Sequence, residues 1–536
     1  MKNSRWPWAA FAWLVALIYL IPVGVVLGST LFTGLSGQLE FPLKLLWPTL
    51  TDTSILVGGT LLFSVFVGTL VAWIVVRYDF PGRNFFRWAQ ILPLSIPAFI
   101  GLFAWRGLLE YTGPLATLWR SLNLPGSFPL PPPSGFGGAI WVMGLSLYPY
   151  LYFTMSSFFK RIPISLLEVG ALQGWSPQKQ FFSVVVPLAR PALWGGMMLV
   201  LMEALGEFGV PNYLGIQAFS SVIYRTWLSV GNLGGALGLS SVLVLLVIFA
   251  MTSELRSRGR KGYAGTSDSK TLGQSRIRLK GPIAGLVTLL ATLPLFFGFL
   301  VPTFQLIWWV FEAGIGKSLV WTTGFNTLLL GTVSAFLGVL ISALLVHARF
   351  LKVGGPWGVL SPLLQLGYAL PGAVLAIAFL PVFGGLDRFI LTTLLGGSPQ
   401  LFLSGSVVGL ILAYQVRFSA VAFQPLQAGG LQTTGSLAEA GLTHGMGPWK
   451  VFGSIQVPLW LPSLVAAGCL MFVDLIKELP LTLILRPFNF QTLATRVYEA
   501  ASNEAPAEGA LEALLLVALA AVGSWLAHII MEKRKR

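Results

Sequence analysis

A single cysteine in 536 residues, Cys469, excludes a disulfide framework or a cysteine metal cluster within the chain. It lies inside an apolar run and so says nothing about redox compartment. Histidine is nearly as scarce. His347, His444 and His528 stand far apart with no second ligand at a helical spacing, so no stable metal site is expected. No Ser/His/Asp or Cys/His constellation has a recognisable context, which leaves an intramembrane enzyme without support and no catalytic residue to name. Charge is the third shortage. Only 10% of residues are charged against 55% hydrophobic, with a mean hydropathy of +0.78. These figures override the three or four soluble domains that length alone would suggest. The net charge of +15 does not point to nucleic acid, because the basic residues are scattered between apolar runs instead of clustered on one polar domain. An ATP site is also missing. Gly316-Lys317-Ser318 ends like a phosphate loop, but Phe311 stands where that motif needs its first glycine.

What is present is length of apolar chain. A bilayer core about 30 Å thick needs roughly 20 apolar residues per helix, and that ruler predicts an all-α polytopic membrane protein of about twelve spans. They fall near 9–31, 55–76, 88–109, 138–159, 190–214, 236–255, 282–311, 323–346, 357–382, 403–425, 460–485 and 508–531. The first run exceeds the 7–15 residues of a signal-peptide core, so it is expected to stay as a span. Loops carrying Lys and Arg are retained in the cytoplasm. Placing both termini inside puts most of the 34 basic residues there, leaving Lys44, Arg106, Arg120, Arg225, Lys317, Arg388, Arg486 and Arg496 outside.

The chain also repeats itself. Glu168 to Pro187, EVGALQGWSPQKQFFSVVVP, returns as EAGLTHGMGPWKVFGSIQVP from Glu439 to Pro458. In both, a Gly follows the Glu by six residues (Gly174, Gly445), a β-branched residue by sixteen (Val184, Ile455) and a Pro by nineteen (Pro187, Pro458). Gly59, Thr60 and Arg77 are answered 272 residues later by Gly331, Thr332 and Arg349, and Glu203, Glu207 and Arg225 are answered 271 later by Asp474, Glu478 and Arg496. Two tandem homologous halves in parallel orientation follow, with a pathway expected at their pseudo-twofold axis. The boundaries expected are 1–54 for a first helix and outer loop, 55–255 for the first transmembrane domain and 256–281 for a flexible basic linker. Then come 282–322 for the seventh helix and outer loop, 323–531 for the second domain and 532–536 for a basic tail.

Within each repeated loop a short helix from Ser165 or Leu437 is expected to break at Gly174 or Gly445, where glycine accepts positive φ. Trp175 and Met446 then offer an apolar side chain, Pro177 and Pro448 suit the first turn of a helix, and Pro187 and Pro458 are expected to begin the next span. These loops resemble the EAA loop of binding-protein-dependent ABC transporter permeases, E-A-A-x3-G-x9-I-x-L-P, with small or aliphatic departures at Val169, Gly170, Gly441, Val184, Val186 and Val457. The resemblance implies the ABC type-1 transmembrane domain fold in the cell inner membrane. It makes the loops the coupling helices that dock on ATPase subunits, with Glu168 and Glu439 opening them. It also implies two copies of the ATPase carrying ATP and Mg, one solute-binding protein, contact with membrane lipid and no cofactor on this chain.

Charges within spans complete the reading. Glu203 and Glu207 are spaced i, i+4, as are Asp474 and Glu478, with Lys477 beside them. Sixteen residues past the loop's last proline, at 1.5 Å each, places the first of each pair about 24 Å along its helix. The four acids against Lys477 make a formal −3, and −1 if one of each pair is protonated, which suits a cation. The stretch Lys477 to Glu499, KELPLTLILRPFNFQTLATRVYE, and the fusion of two halves resemble iron(III) permeases. Related fused permeases serve thiamine or other small solutes. A secondary transporter could also use buried acids, but it leaves the duplicated loop spacing unexplained.

Overall fold

The computed structural model describes residues 6–35, 43–126, 128–258, 271–314, 320–390 and 401–533. These residues are almost wholly helical. Ten helices are long and apolar enough to cross a membrane, and the pair Arg83–Ser95 and Ala98–Ser121, bent by 91°, adds an eleventh if taken as one broken span. The remaining expected span is the helix Gly135–Phe159, whose apolar residues are interspersed with glycines, serines and tyrosines.

Prolines explain where the helices depart from the expected segments. The expected spans 88–109 and 357–382 are each broken, before Pro97 and before Pro371. Ile96 and Leu370 adopt extended backbone there, with ψ of 108° and 132°. The proline ring disfavours helical geometry in the residue before it. The spans expected to begin near 190 and 460 in fact run Pro177–Gly206 and Pro448–Lys477, 30 residues each. Pro187 and Pro458 therefore do not open a span; each sits ten residues inside a continuous helix. Each is preceded by a π-helical turn, Phe181–Val185 and Phe452–Gln456, and the same device precedes Pro302 at Phe296–Leu300. A proline lacks the amide hydrogen and presses on the carbonyl four residues back. Widening one turn relieves both.

The chain forms two compact units. The first comprises Met1–Trp47, Phe219–Val244 and Ala313–Arg536; the second comprises Pro48–Ala218 and Leu245–Glu312. In the first unit the N-terminal helix Trp6–Leu35 packs on Val320–Phe350, Trp357–Ala369 and Gly372–Phe389. The Tyr19 hydroxyl donates to the Gln415 carbonyl at 2.7 Å. In the second unit the helix Gly281–Ala313 is held by Gln90, whose Nε2 donates to the Ala291 carbonyl at 2.6 Å while its Oε1 accepts from the Tyr148 hydroxyl at 2.7 Å. Gly107 lies against Trp309 so closely that a Cβ would stand 2.0 Å from the ring. The leading helix of each sequence half thus belongs to the unit built on the other half. Leu62, Phe66, Phe249 and Phe336 are exposed along these helices, as faces turned to lipid require.

The linker is not flexible throughout. Residues 259–270 lie outside those described, but 271–280 form a strap across two loops of the second unit. Tyr78–Asp79 pairs in parallel with Ile277–Arg278, and Pro163 bridges Thr271. The Leu272 amide donates to the Ile162 carbonyl at 2.8 Å and the Leu279 amide to the Asp79 carbonyl at 3.0 Å. Leu272 itself is fully buried. Ile162 lies three residues before the first repeated-loop helix, so the strap fixes where that helix begins. Truncating a buried leucine costs about 2 kcal/mol or more, or roughly thirtyfold in local opening. Leu272→Ala is therefore expected to speed trypsin cleavage after Arg276 and Arg278 on that order in membrane-embedded protein. An unchanged rate would show that the strap is not held by Leu272.

Candidate functional site

The first repeated loop opens with the helix Ser165–Leu172, as the sequence predicts, and Gly174 follows at φ +74°. The Trp175 amide donates to the Gly170 carbonyl at 3.0 Å, and the Gly174 amide to Ala171 at 2.9 Å. In the second loop Gly445 stands at φ +81°, the Met446 amide donates to Gly441 at 3.0 Å and the Gly445 amide to Leu442 at 3.1 Å. This paired pattern is the Schellman termination, which needs a residue of positive φ after the helix and brings the next side chain back over the last turn. The spacing in the sequence thus has a physical cause. Gly174 and Gly445 make the left-handed turn, and Gly170 and Gly441 leave room beneath the returning side chains. A Cβ on Gly441 would lie 3.3 Å from Met446 Sδ and 2.8 Å from Ile455 Cδ1; one on Gly170 would lie 3.5 Å from the Trp175 ring.

After the turn, Pro177 and Pro448 occupy the first turn of the long helices, with Ser176 Oγ accepting from the Lys179 amide at 3.3 Å. Lys179 Nζ lies 4.8 Å from the centre of the Trp175 ring, and Gln180 Nε2 donates to the Trp175 carbonyl at 2.9 Å. Glu168, Val169, Leu172 and Gly174 are exposed. The second loop differs in one respect from expectation. No separate helix begins at Leu437, because the preceding span continues as a single helix, Val407–Thr443, up to the glycine turn. Glu439 pairs with Lys352 at 3.6 Å, both exposed, so the pair adds little stability. Trp449 of this loop packs on Trp8 with the rings tilted, 4.5 Å between centroids, and Trp8 meets His347 edge-on at 4.6 Å. His347 Nδ1 in turn meets Gln456 Oε1 at 2.5 Å, a packing role for this histidine.

The intramembrane acids do not form two i, i+4 pairs on helix faces. Glu203 and Asp474 lie on the long helices, but those helices end before Glu207 and Glu478. Glu207 Oε1 accepts from the Val210 amide at 3.1 Å, and Glu478 Oε1 accepts from the Leu481 amide at 3.1 Å. Each therefore satisfies an amide of the short helix that follows, Gly209–Tyr213 or Pro480–Leu485, which would otherwise be unpaired. Asp474 pairs with Lys477 at 3.4 Å.

Arg417 changes the charge balance. Its Nε lies 3.2 Å from Glu478 Oε2 with both side chains buried, and its Nη1 donates at 2.7 Å to the carbonyl of Leu370 at the helix break before Pro371. The next residue, Gly372, has no room for a side chain, since a Cβ would stand 2.2 Å from Glu478 Oε1. One guanidinium thus ties two broken helices together. Adding Arg417 to the count of four acids and Lys477 makes a formal −2 instead of −3. With one acid of each pair protonated the sum is zero, so the negative sign holds only while more than two of the acids are ionised. Arg417 was legible as an arginine inside an expected span. A second polar group escaped the sequence reading. Arg486 and Gln491 both meet the Glu499 carboxylate, the latter through Nε2 at 2.6 Å. In the same unit, burial pushes the Tyr224 hydroxyl, beside Tyr498, up to about 12, leaving it a neutral hydrogen-bonding group. Gly316-Lys317-Ser318 lies outside the described residues.

Many apolar helices, two proline-broken spans and a duplicated, glycine-terminated loop are the features to set beside known proteins. Residues 64–255 match the family model of the binding-protein-dependent transport system inner membrane component. It is 28% identical to the Fe(3+)-transport system permease protein FbpB 2 of Haemophilus influenzae, over 96% of this chain and 97% of that one. It is 22% identical to the probable ABC transporter permease protein y4fN of Sinorhizobium fredii, over 98% and 95%. It is also 28% identical to the probable sulfate transport system permease protein cysT of Nephroselmis olivacea, but over only 39% of this chain and 72% of that one. Permeases of this family work with ATPase and binding-protein partners.

Proposed function

We propose that this chain supplies both transmembrane domains of an ATP-driven importer whose cargo is iron(III), delivered by an extracytoplasmic binding protein. Two ATPase subunits dock on it, one at each repeated loop, and ATP and Mg bind there; the chain holds no cofactor and catalyses no reaction. Both termini are cytoplasmic. The observation that carries the coupling assignment is the same Schellman turn at Gly174 and Gly445, each presenting an apolar side chain beside an exposed helix. Glu168, Trp175 and Pro177 in one loop, with Glu439, Met446 and Pro448 in the other, form the docking surfaces. Pro187 and Pro458 act inside the helices that transmit movement. Such movement is productive because ATP binds the two conformations of the partner subunits with different affinity.

Iron is favoured by the FbpB 2 relative, because that likeness runs through nearly the full length of both chains. The sulfate-permease likeness covers one half-length segment and speaks for the shared permease fold. Thiamine or another small solute is the alternative cargo. Among the acids, Glu203 and Asp474, with Lys477, remain the pathway candidates, whereas Glu207 and Glu478 serve the backbone. The test is uptake into vesicles holding the permease, its ATPase and its binding protein, with iron(III), sulfate and thiamine offered separately. Uptake of iron(III) alone is expected, and Glu203→Gln with Asp474→Asn together are expected to lower it about tenfold with assembly retained, a loss worth 1.4 kcal/mol. Uptake of sulfate or thiamine instead would overturn the cargo, and full iron uptake by the double variant would remove these acids from the pathway.

A further inference from the structure

In the second unit a cavity of about 750 Å³ opens between the span Leu43–Arg77, the first repeated-loop helix and the long helix Pro177–Gly206. That volume is ample for a specific ligand. Its shape follows the membrane. The lining runs along one helix from Val65 to Arg77, twelve residues or roughly 18 Å at 1.5 Å each, close to the depth of one leaflet's hydrocarbon, half of about 30 Å. The upper wall is apolar, formed by Phe66, Leu70, Trp73, Phe182 and Leu193. Phe66 and Phe182 are themselves exposed, so the cavity is open toward the surroundings of the span. The lower end is polar and carries Arg77, Tyr78, Glu168 and Gln180. Arg77 is half-buried there; its Nη1 donates to the Ser275 carbonyl of the strap at 3.4 Å, and among the described residues it meets no carboxylate in an ion pair.

We propose that this cavity binds a phospholipid of the cytoplasmic leaflet, one acyl chain lying along Phe66, Leu70 and Trp73 and the phosphate held by Arg77. An apolar groove of leaflet depth that ends in a cation without a carboxylate partner complements the two parts of that molecule. Glu168 at the same end leaves an acceptor for a headgroup ammonium. The lipid would touch Leu167 and Ala171, which line the cavity from the repeated-loop helix. The site therefore lies directly behind the surface assigned to the ATPase, although its existence does not depend on that assignment.

The experiment uses the full chain, reconstituted into vesicles of phosphatidylethanolamine and phosphatidylglycerol and then extracted into mild detergent. Native mass spectrometry counts the phospholipid retained. The wild type is expected to hold one phospholipid. Arg77→Gln, which removes the cation, and Leu70→Trp, which fills the groove, are each expected to lower the retained fraction at least about fivefold, or roughly 1 kcal/mol. Arg77→Lys is expected to retain most of it. Folding of each variant is checked by the reactivity of Cys469. No lipid on the wild type, equal retention in Arg77→Gln, or a polypeptide recovered in place of the lipid would overturn the proposal. Loss confined to Leu70→Trp would do so too, since the occupant would then owe nothing to the cation.

Discussion

Gly174→Asp and Gly445→Asp are each expected to lower binding-protein-dependent uptake about tenfold or more while leaving the amount of permease in the membrane unchanged. Both glycines have positive φ, and nothing lies within 4 Å of a Cβ built on either. The substitution therefore meets no core atom, and what it disturbs is the loop's outer surface. Aspartate and asparagine tolerate the left-handed region better than other residues, so backbone strain is small for both. Aspartate adds a full charge that must be desolvated in a docked interface, where an unpaired charge is strongly unfavourable. Asn at the same sites should accordingly retain more activity than Asp. The two loops need not respond equally, because Trp175 is braced by Lys179 and Gln180 whereas Met446 packs on Gly441. Uptake and ATPase co-purification measured on matched amounts of protein decide the matter; values unchanged in both variants would remove the loops from the coupling surface.

Breaking the Arg417–Glu478 pair is expected to have the largest effect on stability. Removing one member of a buried pair leaves the other charge uncompensated, at a cost of about 3–5 kcal/mol. Glu478→Gln should therefore destabilise the first unit, with its unfolding midpoint falling on the order of 10 °C. The glutamine keeps an oxygen for the Leu481 amide, so the loss isolates the ion pair from the cap. Arg417→Met should be comparably harmful, since it also strips the Leu370 carbonyl of its donor at the helix break. The double variant Arg417→Met, Glu478→Gln should recover part of the loss, because no unpaired charge remains. Cys469, half-buried on the helix that ends beside Glu478, provides the readout through its reactivity on heating. Additive losses in the double variant would mean that the two residues act independently.

The elements that were legible in the sequence were those written in apolar length and in repeated spacing. The helical segments followed from the bilayer ruler, and the glycine turns followed from a spacing that recurs because the same backbone termination is built twice. What was not legible depended on how prolines and charges are accommodated. Pro187 and Pro458 read as helix starts because the sequence does not show a preceding turn widening to admit them. Glu207 and Glu478 read as helix-face charges because i, i+4 spacing assumes a helix that continues, whereas each helix stops one or two residues before them. The strap at 271–280 was hidden by composition, since a basic, serine- and glycine-rich stretch gives no sign that Leu272 will be buried. Arg417 was visible as a charge in a span but could not be assigned a partner, because Glu478 lies 61 residues on.

The coupling assignment is tested most directly by placing a photoreactive amino acid at Trp175 in one variant and at Met446 in another, within the assembled transporter in its membrane. The expected result is a cross-link from each position to the same ATPase polypeptide, its yield changing when ATP is added. Cross-links from neither position, in variants that still bind the ATPase, would show that the subunit docks elsewhere and that the duplicated loops are not its coupling surface.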